Sequence, residues 1–219
     1  MKRFDHMTLR KAMCLYAVTD RSWLDGRSLS EVCAAAIAGG ITFLQIREKQ
    51  LGRAAFLAEA RTLKRLAADA NIPFVVNDAV DIAKEIDADG AHIGQSDESL
   101  ATARALLGED KIIGISVQNV AEARAAARGG ADYLGVGAVF ATATKTDAKL
   151  VDRQALQDIC RSVDIPVVAI GGISADRVLS LAGSGVDGIA VVSALFAAGD
   201  IEDAARELRA LSERMVSSR

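Results

Sequence analysis

PVVAIG (166–171) and DGIAVV (187–192), joined through Gly171-Gly172-Ile173-Ser174 and Gly183-Ser184-Gly185-Val186-Asp187, make up one complete unit of the pattern that decides the fold. Each run is short and apolar along its whole length, without the in-out alternation of a strand that faces water. Such a strand is buried on both faces, as in a parallel sheet covered by helices. Six further runs of the same kind precede it: CLYAVT (14–19), TFLQI (42–46), PFVVN (73–77), GAHIG (90–94), KIIGIS (111–116) and DYLGVG (132–137). Between them, stretches such as 28–38, 54–70, 99–107 and 121–128 are alanine-rich with apolar residues three and four apart, the spacing of amphipathic helices. A glycine or acidic residue closes several helices just before the next strand, at Gly39-Gly40, Asp87-Ala88-Asp89-Gly90, Gly129-Gly130-Ala131-Asp132 and Gly183 to Asp187. The eight units, each about 25 residues long, predict a closed (β/α)8 TIM barrel of the α/β class. An open doubly wound sheet is the competitor, but no strand is followed by its Gly-x-Gly-x-x-Gly dinucleotide turn.

The 219 residues suit one such barrel, so residues 1–219 are expected to form a single domain, with 1–12 as an N-terminal extension able to form an extra helix. Hydrophobic residues make up 51% of the chain, yet charges interrupt them before any run reaches the roughly 18 to 20 residues of a membrane span. Met1 to Arg10 lacks the apolar core of a secretory signal, which makes the cytoplasm the expected location. The net charge of −3 comes from interleaved charges and offers no broad basic field for nucleic acid or anionic lipid. Any anion site must therefore be local. Cys14, Cys33 and Cys160 lack the paired spacing of a zinc or redox motif and read as reduced packing residues.

In a barrel of this kind the chemistry sits just after the strands. After the second strand, the alternation in Gln45-Ile46-Arg47-Glu48-Lys49 sends Gln45, Arg47 and Lys49 to one side. They could form either a site for a polyanion or a salt-bridge cluster with Glu48 or a helix acid. Asp78, after Asn77, and Asp97 end neighbouring strands, where they could share one Mg²⁺ or simply cap helices. The loop Phe140 to Asp147 is the longest, with hydroxyls and Lys145. Gly172 and the Val192-Ser193 pair follow the last two strands, where barrels often bind phosphate, although a tight turn would also use glycine. His92, inside the fourth strand, reads as a packed or hydrogen-bonded ring, and His6 lies in the N-terminal segment. No Ser/His/Asp triad is supported.

In order, Gln-x-Arg-x-Lys (45–49), Asn-Asp (77–78), Ala-Asp-Gly-Ala-His-Ile-Gly-Gln-x-Asp (88–97), Gly-Ile-Ser (114–116), Thr-x-Thr-Lys-x-Asp-Ala (142–148), Ala-Ile-Gly-Gly-Ile (169–173) and Asp-Gly-Ile-Ala-Val-Val-Ser-Ala (187–194) closely resemble the thiamine-phosphate synthase family. The resemblance implies a transferase that couples 4-amino-2-methyl-5-hydroxymethylpyrimidine diphosphate to a thiazole phosphate, giving thiamine phosphate and pyrophosphate. It assigns Gln45, Ile46, Arg47, Glu48, Lys49, Asn77, Ser116 and Lys145 to the pyrimidine diphosphate, and Thr142, Ala143, Thr144, Gly172, Val192 and Ser193 to the thiazole phosphate. Arg47, Lys49, Ser116 and Lys145 are the implied catalytic residues, with one Mg²⁺ per site on Asp78 and Asp97. A homo-oligomer is compatible with this reading. Ala79 and Ala138 depart from the family pattern, which favours arginine and proline there, and Lys149 to Arg153 lacks the usual glycine. Two other readings are a thiazole tautomerase relative and a non-catalytic precursor-binding barrel. Neither accounts for Asp78, Asp97, Thr142, Thr144 and Lys145 all being present.

Overall fold

The structure, a computed structural model, describes residues 5–94, 99–142 and 150–218. Eight strands, β1 (Leu15–Val18), β2 (Phe43–Ile46), β3 (Phe74–Asn77), β4 (Gly90–Ile93), β5 (Ile112–Val117), β6 (Tyr133–Val136), β7 (Val167–Ile170) and β8 (Gly188–Val191), pair in sequence order, all parallel, and β8 closes onto β1. The helices are α1 (His6–Ala12), α2 (Leu29–Ala38), α3 (Arg53–Asp69), α4 (Val80–Glu85), α5 (Leu100–Leu107), α6 (Val120–Arg128), α7 (Arg153–Arg161), α8 (Ala175–Val178), α9 (Ser193–Phe196) and α10 (Ile201–Ser217). Every apolar run read from the sequence is a strand, with ends displaced by one residue at most. The closed (β/α)8 barrel is therefore the fold. None of the described helices is long and apolar enough to cross a membrane.

Alternation along the strands divides the apolar residues into two separate cores. Leu15, Ala17, Leu44, Ile46, Phe74, Val76, Ile113 and Val136 point outward and pack beneath the helices. Tyr16, Phe43, Val75, Ile112, Tyr133, Val168 and Ala190 point inward and fill the barrel axis. The aromatic interior requires small residues on facing strands. A methyl group at Gly114 would lie 2.1 Å from the Tyr133 ring.

The acidic turns seen in the sequence do more than end helices. The residue just ahead of each even-numbered strand accepts a hydrogen bond from an N–H at the start of the strand before it: Leu15 N to Thr42 Oγ1, Phe74 N to Asp89, Ile113 N to Asp132 and Val167 N to Asp187, all at 2.8–3.0 Å. The strands are thereby tied in pairs at the closed end of the barrel. Two of these carboxylates also hold arginines, Arg104 on Asp132 at 2.7 Å and Arg10 on Asp187 at 2.8 Å.

Arg10 lies on α1, which explains residues 5–13. Leu9, Ala12 and Met13 join the inner core and plug the N-terminal end of the barrel. What the sequence presents as an extension is therefore the barrel's floor, and only the opposite end remains open. None of Cys14, Cys33 and Cys160 is in a disulfide, and burial pushes the Cys33 thiol up to about 12, out of the range of a nucleophile.

Candidate active site

At the open, C-terminal end of the strands lies a cavity of about 470 Å³, within the range of small-molecule sites. Gln45, Arg47, Lys49, Asn77, Asp78, Ser116, Thr142, Gly172, Val192 and Ser193 all line it. These expected site residues lie far apart in sequence and come from different strand ends; barrel closure brings them together. Asp97, Ala143, Thr144 and Lys145 lie outside the described residues.

Two of the residues assigned through the resemblance, Ile46 and Glu48, do not reach the cavity. The alternation that turns Gln45, Arg47 and Lys49 inward turns these two away. Ile46 is fully buried in the outer core. Glu48 forms an ion pair with Arg21 and accepts the backbone N–H groups of Gln50 and Leu51, so it shapes the loop after β2. These hydrogen bonds and Arg21 hold its carboxyl below the usual range against the opposing effect of burial.

The cations of this segment are thus not taken up by Glu48. Arg47 pairs at 3.3 Å with Asp20, which follows β1, and its backbone N–H donates to Thr19 Oγ1. Lys49 has no carboxylate partner among the described residues and lines the cavity. A salt-bridge cluster does not account for both cations.

Nor does the Asp78 side chain act as a cap. The N-cap of α5 is Ser99, whose hydroxyl accepts from Thr102 N. The N-cap of α4 is Ala79, with no side-chain cap bond. Asp78 sits at φ +60°, a left-handed conformation that aspartate tolerates better than most residues, with its N–H bonded to the His92 carbonyl at 2.9 Å. Unusual backbone at a strand's C-terminal end is where barrels place functional side chains. The carboxylate lines the cavity alongside Arg47 and Lys49.

On the far side of the cavity, the loop after β6 is anchored at both ends: Val139 N donates to Ile170 O, Phe140 N to Gly171 O and Val151 N to Ala138 O. This packing accounts for Gly172, since a methyl group there would lie 2.4 Å from the Ala141 carbonyl and φ is +66°. Its glycine identity is thus required by the neighbouring loop, whatever ligand it meets. Arg177 donates to the Gly172 carbonyl and lies over the Phe140 ring at 5.4 Å, fastening loop and turn together.

The floor of the cavity holds groups that sequence reasoning passed over. Gln45 Nε2 donates to Tyr16 Oη (2.9 Å), Tyr16 Oη lies 2.7 Å from Tyr133 Oη, Tyr133 Oη 2.8 Å from His92 Nδ1, and His92 Nε2 2.9 Å from Ser116 Oγ. His92 is a hydrogen-bonded ring, as the sequence suggests, but it is also part of the cavity lining. The position of Tyr16 and Tyr133 near the start of their strands, in phase with the other inward residues, is the signal that could have shown them facing the barrel axis.

A parallel eight-stranded barrel with a cation-bearing pocket at the C-terminal strand ends defines a (β/α)8-barrel enzyme. The family model for thiamine monophosphate synthase matches residues 15–195. The chain is 48% identical to a thiamine-phosphate synthase of Clostridium acetobutylicum over 192 residues, 88% of this chain and 91% of that protein. It is 49% identical to one from Chloroflexus aurantiacus over 198 residues, 90% of this chain and 91% of that protein. The solved thiamine phosphate pyrophosphorylase of Pyrococcus furiosus superposes with a TM-score of 0.88 at 39% identity, covering 94% of this chain and 98% of that one. The chain belongs to the thiamine monophosphate synthase family.

Proposed function

We propose that the chain is a cytoplasmic, Mg²⁺-dependent thiamine-phosphate synthase that joins a hydroxymethylpyrimidine diphosphate to a thiazole phosphate. The observation that carries this reading is the gathering of Gln45, Arg47, Lys49, Asn77, Asp78 and Ser116 with Thr142, Gly172, Val192 and Ser193 around one cavity. The first group suits a heterocycle carrying a diphosphate, and the second suits a smaller phosphate ester.

The bond between the pyrimidine methylene and the diphosphate oxygen breaks with its electron pair leaving on oxygen. The ring thiazole nitrogen then supplies the pair that forms the new carbon–nitrogen bond. Arg47 and Lys49 lie where negative charge grows on the leaving group, and preorganised cations there lower the barrier. Lys145, in the loop after β6, is proposed as a third. No protein nucleophile is required, and the chain's main contribution is to hold two substrates in line and balance the separating charges.

Asp78 supports the metal assignment: a hard carboxylate that caps no helix is held at the rim beside the cations. Mg²⁺ takes few carboxylates and fills its remaining positions with water and phosphate oxygens, so Asp78 and Asp97 with a diphosphate would form a suitable set. When bound, the ion neutralises charge on the departing diphosphate. Turnover is expected to stop on chelation by EDTA and to return on adding Mg²⁺, followed as pyrophosphate release. Full activity in excess chelator would rule the metal out.

A further inference from the structure

Three consecutive residues after β1 grip the segment that carries Arg47 and Lys49. Thr19 is fully buried; its N–H donates to the Gln45 carbonyl at 3.0 Å and its hydroxyl accepts the Arg47 N–H at 2.9 Å, which carries the pairing of β1 with β2 past the strand ends. Asp20 divides its carboxylate: Oδ1 accepts from Ser22 N at 2.9 Å, and Oδ2 pairs with the Arg47 guanidinium at 3.3 Å. Arg21 spans two carboxylates, Glu48 and Glu59 of α3. None of the three belongs to the cavity lining.

Glu48 passes the last of these contacts on to Lys49. Its side chain is almost wholly buried, with Oε2 on Arg21 and Oε1 accepting the N–H groups of Gln50 and Leu51 at 2.6 and 3.2 Å. The backbone is thereby held on both sides of Lys49. Lys49 itself has no carboxylate partner among the described residues, so the backbone alone sets where its flexible stem begins and what its ammonium can reach. A buried carboxylate without its cation is costly, and losing Arg21 would drive Glu48 outward and release both N–H groups.

We propose that Asp20 and Arg21 are positioning residues for the diphosphate, Asp20 by setting the Arg47 guanidinium directly and Arg21 by setting Lys49 through Glu48. The inference rests on the synthase reading, which makes the diphosphate the target of these cations. Misplacing a group that meets the reacting atoms by about 1 Å can cost on the order of a hundredfold in rate. A brace outside the cavity therefore governs turnover without touching substrate.

Arg21→Met keeps the bulk of the stem and removes the charge, and a double-mutant cycle with Lys49→Ala separates positioning from folding. Arg21→Met alone is expected to lower kcat/KM for the pyrimidine diphosphate on the order of tenfold. In the Lys49→Ala background it is expected to cost less than about threefold, because the group it aims is already gone. The same full loss in both backgrounds would show a role in the fold alone and overturn the proposal. Melting temperatures accompany each variant. If Arg21→Met does not fold, Arg21→Met/Glu48→Gln, which removes the charge left unpaired, takes its place in the cycle with the same expectation. Asp20→Asn keeps an acceptor for Ser22 N, and its loss of kcat/KM must vanish in an Arg47→Ala background; no loss, or one that persists there, overturns its part.

Inorganic pyrophosphate, which carries the charge of the departed leaving group, gives a readout without turnover. Its Kd, measured by titration calorimetry with Mg²⁺ present, is expected to weaken in Arg21→Met, and that weakening is expected to shrink once Lys49 is alanine. Unchanged affinity in Arg21→Met overturns the proposal. If the wild type binds pyrophosphate but forms no thiamine phosphate, the synthase reading fails, while the pyrophosphate cycle still decides the brace.

Discussion

Asp78→Asn is expected to lower turnover on the order of a hundredfold or more while leaving stability within about 0.5 kcal/mol of the wild type. The substitution is close to isosteric, and asparagine accepts the left-handed backbone that Asp78 adopts at φ +60°. The backbone bond to the His92 carbonyl survives, and no helix cap is lost because α4 is capped without the Asp78 side chain. What disappears is a negative charge at the rim of the cavity, beside Arg47 and Lys49. Steady-state kinetics and thermal melting on the same preparation check this. Parallel losses of activity and stability would mean that Asp78 serves the fold.

Asp187→Ala is expected to behave in the opposite way. Asp187 is almost wholly buried at the closed end, where it accepts the first N–H of β7 and holds Arg10 of the plugging helix. Removing it leaves a buried N–H without its acceptor, at about 1–3 kcal/mol, and loosens an ion pair worth about 1 kcal/mol or less because Arg10 is partly solvated. A total of about 1–4 kcal/mol corresponds to a fall in melting temperature of roughly 2–15 °C for a chain of this size. The kcat of the folded fraction should remain unchanged, since nothing at the rim moves. A loss of kcat at temperatures where the variant is fully folded would contradict the separation of a stabilising floor from a catalytic rim. Two aspartates at opposite ends of one barrel thus provide opposite readouts.

The fold was legible because its signal is local and repeated. An apolar run buried on both faces, in several cases preceded by a glycine or acidic turn, needs no distant partner to be recognised, and eight such runs in order admit few architectures. The side on which Gln45, Arg47 and Lys49 lie was legible for the same reason, since alternation is a property of the strand itself. That rule turns the side chains of Ile46 and Glu48, which the resemblance carries along as parts of a contiguous motif, away from the cavity. The helix caps were harder to read: the sequence reading offers Asp97 as a cap before Leu100, and the structure gives that place on α5 to Ser99, which accepts from Thr102 N.

The floor network was hidden for a different reason. Tyr16 and Tyr133 are separated by 117 positions and meet only once the barrel has closed. Strand phase alone can show that each faces inward, but not that the two hydroxyls meet. The role of α1 was hidden likewise, because the surface that Leu9 and Met13 bury against exists only after the strands have assembled.

The central claim, that this rim joins two phosphorylated heterocycles, is tested most directly by product identification. Purified wild-type protein is incubated with the hydroxymethylpyrimidine diphosphate, the thiazole phosphate and Mg²⁺, and the mixture is resolved by mass spectrometry and phosphorus NMR. The account predicts thiamine phosphate and pyrophosphate in equal amounts. Correctly folded protein that yields no thiamine phosphate, or that releases pyrophosphate without forming the carbon–nitrogen bond, would contradict it.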